Sequence, residues 1–257
     1  MHRQMFTTGA LALALAGGIV VSASVASAAS YGNFSSPSGT VSFLNVTDIN
    51  GLFGMPTASG NTLDFSPSTF EADCGPDPGC PPTPHSVSDT LTFQIDAASG
   101  QFIDTIVLSE AGDTTLSSFL NAFGATTVTA NVFVDVLEIN GNPVNGLNAN
   151  AQMVFTNGGQ YETSDEGAGT HIWSGFLSLD IDSVIAAGGG SGQATLVHIS
   201  LANTLTAFAE SGAAARIEKK DIDGLAITVV PEPGTALLLG LGLLGLASPG
   251  RTAKRLD

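Results

Sequence analysis

The chain has 257 residues, 43% of them hydrophobic and only 12% charged, which allows one sizeable domain. Its 23 acidic against 7 basic residues give a formal net charge of -16, and so acidic a surface repels phosphate backbones and excludes nucleic acid as a partner. Arg3, Arg251, Lys254 and Arg255 fall in the terminal segments, leaving only Arg216, Lys219 and Lys220 as basic residues of the body.

Residues 1–28 read as a secretory signal peptide. Arg3 makes the start positive, residues 10–21 form an apolar run broken by small residues, and Ala26-Ser27-Ala28 fits the small-x-small cleavage rule, with the cut after Ala28. The competing reading is an uncleaved N-terminal anchor, for which the apolar run is short. This segment implies the Sec translocon and signal peptidase as partners.

Residues 29–229 carry repeated period-two patterns, the mark of half-buried strands. Residues 40–46 form one. Residues 90–96 form a cleaner one, with Leu91, Phe93 and Ile95 on a shared face. Residues 102–108 follow after Ser99-Gly100, and the two are expected to pair as a hairpin. Residues 127–139 place Val128, Val132, Val134 and Val136 among polar neighbours, and Asn140-Gly141 then turns the chain. Residues 171–179, 194–208, 216–219 and 225–229 complete the series. Residues 182–187 are the best helix candidate, capped by Asp182 or Ser183 and stopped by Gly188-Gly189-Gly190. Many short strands with Gly/Asn turns, and no long amphipathic helix, predict a single all-β body, an antiparallel β-sandwich or jelly roll.

Cys74 and Cys80 are the only cysteines and bracket Gly75-Pro76-Asp77-Pro78-Gly79. In an exported chain this reads as a disulfide that ties down the proline-rich stretch 66–84 between strands. A redox or metal pair is the alternative; the spacing is not Cys-x-x-Cys, and beyond His85 no partner completes a zinc site.

Asp221-Ile222-Asp223-Gly224 resembles a fragment of a calcium loop, and Asp48-Ile49-Asn50-Gly51 is similar. Neither has the third ligand or the trailing Glu of a complete loop, so an ordinary turn before a strand is the favoured reading, with calcium on Asp221 and Asp223 as the alternative. No other cofactor is implied. His85, His171 and His198 stand alone, and Ser174-Gly175 lacks the nucleophile-elbow pattern, so no catalytic constellation is found and the chain is not read as an enzyme. Tyr161 and Trp173 flank the polar loop 162–169 and could line a sugar-binding surface; the favoured alternative makes Trp173 a core anchor.

The C-terminal end is the most specific segment. Val230-Pro231-Glu232-Pro233-Gly234-Thr235 precedes an apolar stretch over 236–247, and Arg251, Lys254 and Arg255 follow. Two prolines so close cannot continue a strand and separate body from tail. The stretch has about 12 residues, roughly 18 Å as a helix. With its flanks it reaches about 17 residues, the lower limit for a span, and the basic end would stay cytoplasmic. Residues 230–257 are read as a hydrophobic helix outside the fold. Pro231-Glu232-Pro233, Gly234-Thr235, a Leu/Gly-rich helix and a basic terminus, in that order, resemble the PEP-CTERM protein-sorting domain. The resemblance covers only these last residues. It implies recognition by an exosortase-like membrane cysteine protease, transient anchoring in the inner membrane of a Gram-negative bacterium, and delivery to the envelope or extracellular matrix, in contact with exopolysaccharide. The expected function is structural or adhesive. A carbohydrate-binding or calcium-dependent matrix-binding module is the alternative, and a hydrolase the third.

Overall fold

The computed structural model describes residues 28–75, 80, 83–220 and 224–230. Among these the strands are, in chain order, β1 (Ala29–Ser35), β2 (Val41–Asp48), β3 (Thr57–Ser59), β4 (Thr62–Phe65), β5 (Glu71–Cys74), β6 (His85–Ala97), β7 (Thr105–Ser118), β8 (Gly124–Ile139), β9 (Asn142–Pro143), β10 (Asn148–Gln152), β11 (Val154–Phe155), β12 (Gln160–Glu162), β13 (Gly169–Asp180), β14 (Ala194–Ala209), β15 (Ala213–Lys219) and β16 (Leu225–Val230). One short helix, α1 (Ile181–Ala187), lies between β13 and β14.

The strands build two antiparallel sheets stacked as a β-sandwich. The first runs β1-β2-β6-β14-β8-β10, and β9 and β12 join β10 along the outer edge of β8. The second runs β11-β13-β7-β16-β4-β3. Its spine is β7, which pairs with β13 along one edge. On the other edge it pairs with β16 through Thr105–Glu110 and with β15 through Gly112–Ser118. β5 adds to the far side of β15.

The core follows from the alternation along these strands. Leu91, Phe93 and Ile95 of β6, Val197, Ile199, Leu201 and Leu205 of β14, and Val128, Val132, Val134 and Val136 of β8 are buried and face the second sheet. That sheet returns Ile106, Leu108 and Leu116 of β7, Ile217 of β15 and Leu225, Ile227 and Val229 of β16. Phe53 anchors one end by edge contacts with Phe65 and Phe70.

Three sequence expectations change. The pair at 90–96 and 102–108 is not a hairpin: β6 lies in the first sheet and β7 in the second, and the turn containing Gly100 (φ 78°) carries the chain across. Residues 98–104 lie between them, and Ile103 there forms an isolated bridge to Ala194 at the start of β14. The stretch 66–84 is more than an excursion, because Glu71–Cys74 is a strand paired with β15. The helix cap is Asp180, whose carboxylate accepts from Ser183 N at 2.9 Å and from Ser183 Oγ at 2.9 Å; Asp182 sits in the first turn instead. The expected turn at Asn140-Gly141 is present, with φ of 49° and 73°, the mirror-image geometry that suits a two-residue hairpin.

Among the described residues no helix is long and apolar enough to cross a membrane. Ala26, Pro231, Glu232, Pro233, Gly234, Thr235, Arg251, Lys254, Arg255, Asp221 and Asp223 lie outside the described residues.

Candidate functional site

The two aromatic residues singled out for sugar contact are both in the core. Trp173 is 0% exposed and Tyr161 1%. Trp173 packs on Phe155, with ring centroids 5.9 Å apart, and lies over Gly112 of the neighbouring strand. The Tyr161 hydroxyl donates to the Thr156 carbonyl at 3.1 Å and lies 2.7 Å from Thr156 Oγ1. A ring with no face open to water cannot stack on a sugar, so the expectation of a contact surface through these two side chains is corrected.

The loop they flank does border a cleft. Residues 163–168 and the β7–β8 connection enclose about 700 Å³, lined by Ser118, Leu120, Asn121, Phe123, Thr163 and Ser164 among others. The lining carries hydroxyl and amide groups, three apolar side chains (Leu120, Phe123 and Ala168) and no charge. The turn beside it holds Leu120 and Asn121 at φ of 54° and 63°, a left-handed pairing that is uncommon for leucine. It leaves Phe119 and Leu120 70% and 85% exposed. Ser118 Oγ fastens the turn by donating to the Ala122 carbonyl at 2.7 Å. A smaller cleft of about 420 Å³ at the opposite end is bordered by Asp96, Gln101, Phe102, Glu138 and Asn140.

The calcium-like segment at residue 48 is a backbone clamp. The Asp48 carboxylate accepts from the amides of Asn50 (3.0 Å), Gly51 and Phe53 (2.9 Å) and from the Tyr31 hydroxyl (3.1 Å). Asp89 of β6 accepts from the amides of Asn50 (2.9 Å) and Leu52 (2.9 Å). These donors occupy lone pairs that a cation would need. Burial, and then a hydrogen bond with the Asp48 carboxyl, push the Asp89 pKa up to about 6. Among the described residues no group of three or more His, Cys, Asp or Glu side chains is placed to hold a metal ion.

Cys74 and Cys80 form a disulfide, with Cα atoms 5.4 Å apart. His85 rests on the backbone of Asp73, His171 lies within 3.3 Å of the Gly167 carbonyl, and His198 is half-buried on the outer face of the first sheet.

Sequence reading missed a polar cluster inside the sandwich. Glu110 of β7, Lys219 of β15 and Asn203 of β14 are all buried. Lys219 Nζ lies 2.8 Å from Glu110 Oε2, and both side chains are fully enclosed. Asn203 Nδ2 donates to the same carboxylate, at 2.8 Å to Oε1 and 2.6 Å to Oε2. Rings surround the ammonium: Nζ is 5.6 Å from the centroid of Phe53, 5.5 Å from Phe70 and 5.7 Å from Trp173. Desolvation holds the Lys219 pKa below the ordinary lysine value. Strand parity carried the signal, because Lys219 shares a face with Ala213, Ala215 and Ile217, and Asn203 with Leu201 and Leu205.

No protein-family model matches the chain, and no curated protein matches it in sequence. Solved structures that align with it include two of low identity. A carbohydrate-binding module, TmCBM61 in complex with beta-1,4-galactotriose, is similar at 10% identity, over 72% of this chain and 82% of that one, with a TM-score of 0.22. The infectious bursal disease virus VP2 subviral particle is similar at 12% identity, over 80% of this chain and 57% of that one, with a TM-score of 0.15. Neither likeness bears on function.

Proposed function

We propose that this chain is an exported, tail-sorted β-sandwich with a structural or adhesive role in a bacterial envelope or extracellular matrix. The observation that carries the reading is the placement of the two ends of the sandwich. Val230 closes β16 opposite Thr105, where β7 begins. The cleft bordered by Ser118 lies where β7 ends, roughly 40 Å away along the strand. A body held through residues beyond 230 would present Phe119, Leu120 and the uncharged cleft on its far side. The disulfide supports export, since such bonds persist in oxidising compartments. In this reading the segment Pro231-Glu232-Pro233 is the substrate of an exosortase-like protease, and the body catalyses nothing.

The test compares the full chain with a variant lacking residues 231–257 and with Pro231→Ala/Pro233→Ala in a host that carries an exosortase. Processing and surface retention of the parent, with release or retention of an unprocessed form in the variants, is the expected outcome. Identical processing and location of all three would overturn the reading. A second reading, a module for neutral glycans, is favoured by the hydroxyl- and amide-lined cleft. Binding on a glycan array with and without calcium, lost in Phe123→Ala, would select it.

A further inference from the structure

Asn203, Glu110 and Lys219 bring an amide, a carboxylate and an amine together in the buried core, and the amide and the amine are incompletely satisfied there. An ammonium has three protons to donate, yet Lys219 Nζ has one carboxylate and three ring faces around it. Asn203 Oδ1 has no hydrogen-bond partner among the described residues. A buried ion pair is costly unless its remaining hydrogen-bonding groups are matched, and these are not. The amine and amide also touch one oxygen, Glu110 Oε2, at 2.8 and 2.6 Å, so their nitrogens are no further apart than those two bonds laid end to end.

We propose that Lys219 Nζ and Asn203 Cγ become joined by an intramolecular isopeptide bond, formed without any external enzyme and assisted by Glu110. The Glu110 carboxylate takes a proton from the Lys219 ammonium and leaves a neutral amine with a free lone pair. The amine attacks Asn203 Cγ, forming the new C–N bond. Glu110 relays a proton from the attacking nitrogen to Nδ2, the Cγ–Nδ2 bond breaks, and ammonia leaves. Glu110 ends as a neutral carboxylic acid. Charge and hydrogens balance: ammonium, carboxylate and primary amide become secondary amide, carboxylic acid and ammonia, with no oxidant or other co-reactant.

The product resolves each defect of the starting arrangement. No charge remains on the three side chains of the cluster. The new amide N–H has the Glu110 carbonyl oxygen as acceptor, and the Glu110 O–H can donate to the oxygen that was Asn203 Oδ1. Desolvation of Lys219 favours the neutral amine that the reaction needs. The bond ties β14 of the first sheet to β15 of the second, so it clamps the sandwich across its core. This inference is independent of how the tail is processed.

The full chain, purified after export, is digested with chymotrypsin and examined by tandem mass spectrometry. The expected result is a branched peptide joined through Lys219 and Asn203, lighter than its two parts by one ammonia, about 17 Da. The branched peptide is the readout rather than intact mass, because ring closure at an Asn-Gly pair such as Asn140-Gly141 loses the same mass without a link. Recovery of the two segments as separate peptides with unmodified side chains, from protein whose Trp173 fluorescence shows a native core, would overturn the proposal. Glu110→Gln preserves volume and removes the proton relay, and Lys219→Met removes the nucleophile. Both are expected to give separate peptides, and a branched peptide in Glu110→Gln would overturn the role of Glu110.

Discussion

The indole of Trp173 occupies the space that a side chain at residue 112 would need. Gly112 and Trp173 face each other across β7 and β13, and a β-carbon on Gly112 would overlap both the Trp173 ring and the Glu218 carbonyl on the other side. Glycine stands here for close approach; it is not among the positive-φ glycines. In such a backbone, Gly→Ala would ordinarily stabilise by restricting the unfolded chain. Gly112→Ala is instead expected to cost about 3 kcal/mol through overpacking. That corresponds to a fall in Tm of roughly 10 °C, read from the fluorescence of the single tryptophan. A variant as stable as the parent would refute this packing.

Thr114 and Thr126 join the two sheets through hydroxyls 2.7 Å apart, and Thr114 Oγ1 also donates to the Arg216 carbonyl at 2.9 Å. Thr114→Val keeps the shape but strands the buried Thr126 hydroxyl, an expected loss of about 2 kcal/mol. Adding Thr126→Val removes the stranded group and should restore part of that loss. Urea denaturation of the two single variants and the double variant checks the sign of the coupling.

The loop closed by Cys74 and Cys80 is short, with a sequence separation of 6. Loop entropy therefore assigns the disulfide about 2 kcal/mol. Cys80→Ser should lower Tm by only a few degrees while making the chain cleavable near residues 75–84. Limited proteolysis followed by mass spectrometry would show where cutting begins, and a first cut in another loop would contradict this.

Asp89 gives a pH dependence of unusual sign. Its folded pKa, about 6, lies above the ordinary carboxylate value, so the folded state binds this proton more tightly than the unfolded chain. Its contribution to stability is complete below about pH 4 and is lost as pH rises through about 6. Asp180 at the helix cap has a lowered pKa and works in the opposite direction, losing its contribution as pH falls. The Asp89 effect is therefore best seen as the difference between the parent and Asp89→Asn across pH 4 to 7. The parent should lose stability relative to the variant as pH rises, and a flat difference curve would count against the shared proton.

Strand positions were readable because apolar and polar residues alternate, as in β8 and β14. Partner choice was not, because a turn such as that at Gly100 looks the same whether the next strand pairs alongside or crosses to the opposite sheet. Trp173 was legible as a core anchor, but what makes room for it, Gly112 on the neighbouring strand, is remote in sequence. The cluster of Glu110, Asn203 and Lys219 was within reach of simple parity, since Glu110 and Asn203 sit between inward-facing neighbours and Lys219 follows Ala213, Ala215 and Ile217 on the inward face. What parity could not supply was that strands from different sheets bring the three to one point.

The chain enters its fold through β1, at an edge, and leaves through β16, which β7 and β4 hold on either side. Tension applied at Val230 runs along β16 and loads both ladders in shear, so many hydrogen bonds resist together instead of opening one after another. A strand peeled from the rim would yield sequentially. The body is therefore built to resist pulling from its C-terminal end and to unravel first from its N-terminal one.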